Sequence, residues 1–503
     1  MKKNFLWIFI IILLSIPSIL SLFNSGFFQS DDGEWMIIRF SAFHEVLRDG
    51  QFPVRFLSRL NYGYGYPVAN FLYPGFMYIG EIFKVLGFGF VDTIKIIFGI
   101  SMVGSAIFTY LWLSNLFNKW SSFVGSLLYL YAPYHLFDMY KRGSVGEVLA
   151  LGIVPFVFWQ IERKSFFWTS LGVAFLILSH NTLALLFLPV ILLYLLARGL
   201  AWAVYLLPAI AVGFGLSAFF WVPAFFDLQY TVFQRIQIAE WKNYFASINL
   251  IGIVPVLILS WTLLRLKSAR SRTLILMFFV GIVFLFLSLP VSWFFWELLP
   301  VSFIQFPFRL LSVTILSVAF LSAFLLGRLK GLNGFLLGIM LLAVGSISSY
   351  PQLSPSVFFD KGDFYYSTNE DTTTVKNEYL PKWVRKNPTE RYGDKVEIPN
   401  STISNLIIRP NNISFEKTSP ENTTATINTI YFPGWKVFVD TEKWDFDYSN
   451  ERGVIKINLP EGIRKVELNF SETPIRLVSD VISIASLLIL LIVVIDRSRR
   501  LAA

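Results

Sequence analysis

The chain has 503 residues, of which 55% are hydrophobic and 15% charged, with 52 phenylalanines and a formal net charge of +9. That composition is far from a soluble globular domain and makes lipid the main solvent, and the basic residues sit in short loops between apolar runs, which argues for membrane orientation and against nucleic acid as a partner. Cysteine is absent, so disulfides, thiolate catalysis and cysteine-based zinc or iron–sulfur sites are excluded.

Lys2 and Lys3 precede the apolar run Phe5 to Phe23, and no small-x-small cleavage pattern follows. The run reads as an uncleaved first span that leaves Asn24 onward outside. Stretches long enough to cross about 30 Å of hydrocarbon at about 1.5 Å per residue follow at 93–115, 120–135, 146–161, 165–180, 181–198, 203–221, 249–266, 273–289, 307–327, 333–349 and 477–495. With the first they make twelve. This number puts Lys119, Arg163 with Lys164, Arg198, the Arg265 to Arg272 cluster, Arg328 with Lys330 and the tail Arg497 to Arg500 on the cytoplasmic side. The parity requires Phe71 to Gly87 to be a juxtamembrane or re-entrant segment.

The chain therefore divides into a transmembrane region 1–349 with a first outer loop 24–92, an extracytoplasmic, mainly β domain 350–476, and a final helix with a basic cytoplasmic tail, 477–503. Within 350–476 the segments Ala425 to Tyr431, Trp435 to Val439, Val454 to Leu459 and Lys465 to Phe470 alternate as half-buried strands do, with turn signals at Pro433-Gly434, Arg452-Gly453 and Pro460-Glu461-Gly462. A small antiparallel β-sandwich is expected. The protein is expected in the plasma (cytoplasmic) membrane, multi-pass, with its active face extracytoplasmic.

Chemistry concentrates in two outer segments. Asp31, Asp32 and Glu34 place three carboxylates within four residues, which repel unless a cation, a metal or an acceptor hydroxyl offsets them. Asp32 and Glu34 could serve as a general base and its helper, or as oxygen ligands of a divalent cation. Tyr64 and Tyr66, with Trp35, Tyr62, Tyr73 and Tyr78, form either an interfacial aromatic belt or a sugar-stacking surface. The second segment carries Asp138, Lys141, Arg142 and Glu147, where Arg142 either pairs with Glu147 or holds phosphate oxygens bidentately. On the twelve-span topology Arg39, Arg55, Arg235 and Arg309 converge on the same face. Arg309 stands at the outer start of a span, against the positive-inside trend. His180 lies at an outward turn, either as a helix-end hydrogen-bonder or in the site. His44, His135 and His180 are too scattered for a zinc pattern, and no P-loop, Rossmann fingerprint or nucleophile elbow occurs.

The runs Asp32-Gly, Leu47-Arg-Asp-Gly-Gln-Phe-Pro-Val-Arg, Gly63-Tyr-Gly-Tyr-Pro, Ser179-His-Asn, Trp221-Val-Pro-Ala, Gln305-Phe-Pro-Phe-Arg, Glu378-Tyr-Leu-Pro and Tyr431-Phe-Pro-Gly-Trp-Lys-Val span nearly the whole chain. Together they resemble a group of prokaryotic membrane proteins that look like GT-C-fold glycosyltransferases. Some members carry a label relating them to 6-pyruvoyl-tetrahydropterin synthase, a soluble metal enzyme whose histidine set this chain does not offer.

The resemblance implies a polytopic α-helical membrane protein that moves a sugar from a polyprenyl-phosphate donor to a glycan, lipid or protein acceptor. It places Asp32 at the position of the catalytic Asp or Glu of the first outer loop, as base or as base and metal ligand. A His commonly precedes that Asp in the group, whereas here Asp31 does, as a sharer of the role or a metal ligand. Arg142, Glu147, His180, Arg309, Glu378 and Tyr379 would line the cavity, with Arg39, Arg55, Tyr64 and Tyr66 as further substrate contacts. Two other readings are a transporter or lipid flippase and a non-catalytic envelope assembly protein. Transporters gather ionisable groups near the midplane, whereas here they gather at the outer face.

Overall fold

The computed structural model describes residues 4–233, 241–268, 271–298 and 304–502. Among these residues, seven helices are long and apolar enough to cross a membrane: Phe5–Phe23, Phe90–Ser114, Val145–Glu162, Asn181–Arg198, Pro307–Gly327, Gly331–Gln352 and Pro474–Asp496. Two bent pairs raise the number to nine: Leu200–Leu216 with Ala218–Tyr230, at 63°, and Arg272–Ser288 with Pro290–Leu298, at 86°. The chain is thus multi-pass by the length and apolarity of its helices.

The expected count of twelve is larger because breaks shorten several helices. Lys119–Leu130 is a helix of 12 residues. It stops just before Pro133, whose ring disfavours helix in the residue ahead of it. Phe166–Ser179 has 14 residues and ends where His180 turns extended, and Ile253–Arg265 has 13 and begins after Gly252 at φ +71°. At about 1.5 Å per residue such helices reach only about 18–21 Å. The 86° bend falls at Pro290, which cannot donate to the preceding turn. Within Phe71 to Gly87 the helix Gly75–Val85 has 11 residues. Its rise is about half of what the hydrocarbon core demands.

Packing follows side-chain size. Pro307–Gly327 is buried along most of its length, and Val145–Glu162 lies against Phe90–Ser114. Gly152 allows that contact, because a Cβ there would meet the Ser101 carbonyl oxygen at 2.9 Å. The first and last helices instead expose Phe5, Leu13, Val481, Leu488 and Ile492, as lipid-facing helices do.

The C-terminal β region holds a five-stranded antiparallel sheet in the order Thr402–Ile408, Asn412–Ser419, Gly462–Phe470, Trp435–Val439, Glu442–Trp444. A three-stranded antiparallel sheet runs Val396–Glu397, Thr423–Ile430, Val454–Leu459. Phe415, Val437, Val466 and Leu468 of the first share one apolar cluster with Ala425, Ile427, Ile455 and Ile457 of the second. Two sheets closing one core are the expected sandwich. Phe27–Phe28 pairs antiparallel with Phe358–Phe359, so the segment before the β region is tied to the one after the first helix.

Candidate functional site

Asp32 is the N-cap residue of the helix Gly33–Arg48, and its side chain caps nothing. A carboxylate there is favoured by the helix dipole and stays free for other partners. Two backbone bonds hold it, from the N–H of Asp31 to the carbonyl of Lys141 at 2.9 Å and from the N–H of Asp32 to the carbonyl of Arg142 at 2.8 Å. The loop ending in Gly143 is thereby zipped onto the acidic segment. Gly143, at φ +65°, lies so close that a Cβ would stand 2.8 Å from the nitrogen of Gly33.

A chain of charges runs inward from this point. Arg142 Nη2 stands 3.1 Å from Asp32 Oδ2 and 3.6 Å from Glu147 Oε1. Arg309 donates to the same Glu147 oxygen from Nη2 at 2.6 Å and from Nε at 3.0 Å. His180 Nε2 is 3.6 Å from it, and Tyr134 donates its hydroxyl to the other Glu147 oxygen at 3.3 Å. Leu183 N–H donates to His180 Nδ1 at 3.3 Å, which leaves the ring proton on Nε2, facing Glu147. Two arginines thus meet Asp32 and the buried Glu147 carboxylate, while the fully buried Asp138 beside them, pushed well above its ordinary range by burial and by the Glu147 charge, stands as the neutral acid, so that the charges balance. Buried charges persist only when matched in this way.

Exposure separates the roles. The Asp32 side chain is 27% exposed, whereas those of Arg142, Glu147, His180 and Arg309 are at 7% or less. Arg309 spends its remaining donors on the Ile304 carbonyl and Gln305 Oε1, at 2.7 and 3.2 Å. Arg142 keeps its Nε without a partner and lies over the Phe306 ring at 4.7 Å. Of the two arginines, Arg142 alone has a buried donor without a partner.

The other expected residues lie elsewhere. Asp31 faces Lys141 at 3.6 Å. Glu34 accepts from Lys361 at 2.8 Å and from the Tyr366 hydroxyl at 3.1 Å, and the first of these bonds holds the Lys361 ammonium above its ordinary range. Arg39 donates to Thr373, from Nε to the hydroxyl at 3.0 Å and from Nη2 to the carbonyl. Arg55 joins a separate ionic group with Glu472, Asp480 and the Phe219 carbonyl at 3.1, 3.2 and 2.6 Å. Tyr64 accepts from Arg452 at 2.9 Å, and Tyr66 bonds Thr374 at 2.8 Å and accepts the Tyr379 N–H at 3.1 Å. Tyr379 stacks between Phe71 and Phe233, at 5.1 and 5.5 Å between ring centres. Burial pushes the Tyr66 phenol well up and that of Tyr379 to about 12, so both act as neutral groups. Glu378 is half-buried with Oε2 unpartnered. Arg235 lies outside the described residues.

Asp32 and Glu34, the candidate metal ligands, pair with different cations, and among the described residues no group of three or more His, Asp or Glu is placed to hold a metal ion. Tyr134 is a Glu147 partner that its sequence neighbourhood does not announce, and Lys361, Tyr366 and Thr373 come from the segment 350–399. Nothing in those residues' local pattern marks them, since their partners lie more than 300 positions away.

No protein-family profile matches the chain, and no curated protein sequence does. The chain is similar to solved glycosyltransferases. One is an arabinofuranosyltransferase AftD from Mycobacteria, at 14% identity and TM-score 0.49, covering 71% of this chain and 27% of that one. A second is the Archaeoglobus fulgidus oligosaccharyltransferase tethered to an acceptor peptide, at 13% and 0.47, covering 75% and 60%. The third is ArnT from Cupriavidus metallidurans bound to undecaprenyl phosphate, at 15% and 0.46, covering 67% and 63%. The chain spans less than two thirds of each of these proteins.

Proposed function

We propose that the chain is a membrane glycosyltransferase that moves a sugar from a polyprenyl-phosphate donor to an acceptor hydroxyl, with Asp32 as the general base. The observation that carries this reading is the accessible Asp32 carboxylate, held by Arg142 at the mouth of an otherwise buried, charge-balanced cluster. The acceptor O–H gives its proton to Asp32 while its oxygen attacks the anomeric carbon. The bond from that carbon to the phosphate oxygen breaks, and the lipid phosphate leaves as an anion beside Arg142. Glu147, Arg309 and His180 fix the direction of Arg142. Asp31 and Glu34, each facing a lysine, shape the loop and leave the proton transfer to Asp32.

On this reading the segment 24–92 and the region 350–476 share the extracytoplasmic face of the plasma membrane, and the β sheets help to hold the acceptor. The sequence motifs around Asp32, His180, Gln305 and Tyr431 support the same assignment. Asp32→Asn keeps the volume and loses the base. Transfer from a polyprenyl-phosphate sugar by the purified protein should fall by at least about 10²-fold, with the protein still folded in the membrane. Wild-type transfer by that variant would remove the assignment.

A further inference from the structure

A second cavity, of about 160 Å³, opens where the segment after Gln51 meets the β region. Glu45 stands on its rim, in the same helix that Asp32 caps but three turns further along it. The cavity is therefore separate from the cluster around Asp32. The buried Phe56 and Trp435 and the half-buried Tyr392 line it, together with the cations Arg59, Arg391, Lys395 and Arg409 and the carboxylates Glu45 and Glu370.

Both carboxylates are already matched. Arg59 Nη1 stands 3.2 Å from Glu45 Oε2, and Arg391 pairs with Glu370. Lys395 donates to two neutral carbonyls, of Gly63 at 2.7 Å and Asn428 at 2.8 Å, so its charge has no counter-ion in those bonds. The Arg409 side chain forms no ion pair among the described residues. Three buried polar atoms of the lining residues lack a hydrogen-bond partner: Trp435 Nε1, Thr429 Oγ1 and Arg59 Nε. Trp435 and Thr429 are 3% and 2% exposed. Buried donors are rarely left unpaired, so such atoms mark a place where an absent group completes the bonding.

We propose that this cavity binds an anionic hexose unit, a sugar ring bearing a carboxylate or a phosphate. The half-buried Tyr392 ring suits the C–H surface of a sugar, unpaired neutral donors suit its oxygens, and the two unmatched cations suit its charge. If the chain is the glycosyltransferase proposed above, the cavity holds an acidic residue of the acceptor at a distance from the reacting hydroxyl. The binding itself is independent of that reading.

The full-length protein in detergent is titrated with glucuronate, glucose 6-phosphate, glucose and inorganic phosphate, with binding followed by ligand-observed NMR. At least one anionic hexose should bind, more tightly than glucose and more tightly than inorganic phosphate. Lys395→Met and Thr429→Val should weaken it about tenfold. Arg409→Gln, at an exposed position that leaves folding untouched, should weaken it several-fold. Asp32→Asn should bind like the wild type. Binding of neither anionic hexose, equal binding of glucose or of phosphate, or unchanged affinity in both Thr429→Val and Arg409→Gln would overturn the proposal. No donor lipid is needed, so loss of transfer activity cannot be mistaken for loss of this site.

Discussion

Glu147 is wholly buried and answers to two arginines, so its charge is worth more to the fold than that of any surface acid in this chain. Glu147→Gln leaves Arg309 buried without its counter-charge. Breaking a buried pair from one side costs about 3–5 kcal/mol, whereas replacing both partners with apolar groups is often neutral. Thermal unfolding in detergent should show a large fall for Glu147→Gln and partial recovery for Glu147→Gln with Arg309→Met. Equal melting of the single variant and the wild type would mean that the cluster does not hold the helices. Lys395 gives a second test at this scale. Burial, then the charge of Arg391, lowers its pKa to about 7, against a raising effect of Glu370. Arg59, Arg409 and Glu45 complete the charged groups around it. An anion binds the protonated form, so anionic hexose affinity should be full below pH 7. It should fall by up to about tenfold per unit above that, until the pKa of the complex is reached. In Lys395→Met the slope between pH 6 and 8 should vanish.

Among the elements, the contact between the acidic loop and the loop ending in Gly143 decides where Asp32 points. Gly143 combines a left-handed φ of +65° with backbone in the path of any Cβ, whereas Gly50, at φ +93°, has open space around it. Both alanine variants meet backbone strain of about 1–2 kcal/mol, but only Gly143→Ala must also push Gly33 away from the loop. Transfer should drop by at least about tenfold in Gly143→Ala and stay near wild type in Gly50→Ala, with both proteins recovered from membranes in similar amounts. This contact could not be read from sequence, where Gly143 looks like ordinary loop punctuation. The strands were easier. Trp435–Val439 and Val454–Leu459 alternate in sequence and alternate in burial, because one face of each closes the sandwich core. Thr402–Ile408 escaped because nearly its whole length is exposed at the sheet edge, so it carries no inward stripe to recognise. Helix positions were legible from apolar runs, but their lengths were not, since apolarity continues across the breaks at Ser217 and Gly252.

At the scale of the whole molecule, long-range ion pairs join regions that hydropathy treats as separate. Asp32, Arg142, Glu147, His180 and Arg309 could be nominated from sequence and the resemblance it carries, yet the meeting of Arg142, His180 and Arg309 at the one Glu147 carboxylate is a product of helix packing. The same holds for Arg476, at the start of the last helix, whose Nε and Nη2 reach Asp227 Oδ2 at 2.9 and 2.8 Å. Asn70 donates to that same oxygen at 2.9 Å, and the Arg476 guanidinium lies over Phe432 and Phe470 of the β region. One fully buried pair therefore ties together the segment after the first helix, the bent helix pair, the last helix and the sheets. Asp227→Asn removes one charge and strands the other, so about 3–5 kcal/mol of this junction should be lost. Limited proteolysis should then cut between the last helix and the β region in Asp227→Asn, well before it cuts the wild type. Asp227→Asn combined with Arg476→Met should regain much of the resistance, because neither charge of the pair is left unmatched to pull water into the junction. If the single variant resists protease as well as the wild type does, the junction is held by the packing of Phe432 and Phe470 instead. The same double variant would then be the weaker of the two, since it loses the guanidinium that covers those rings.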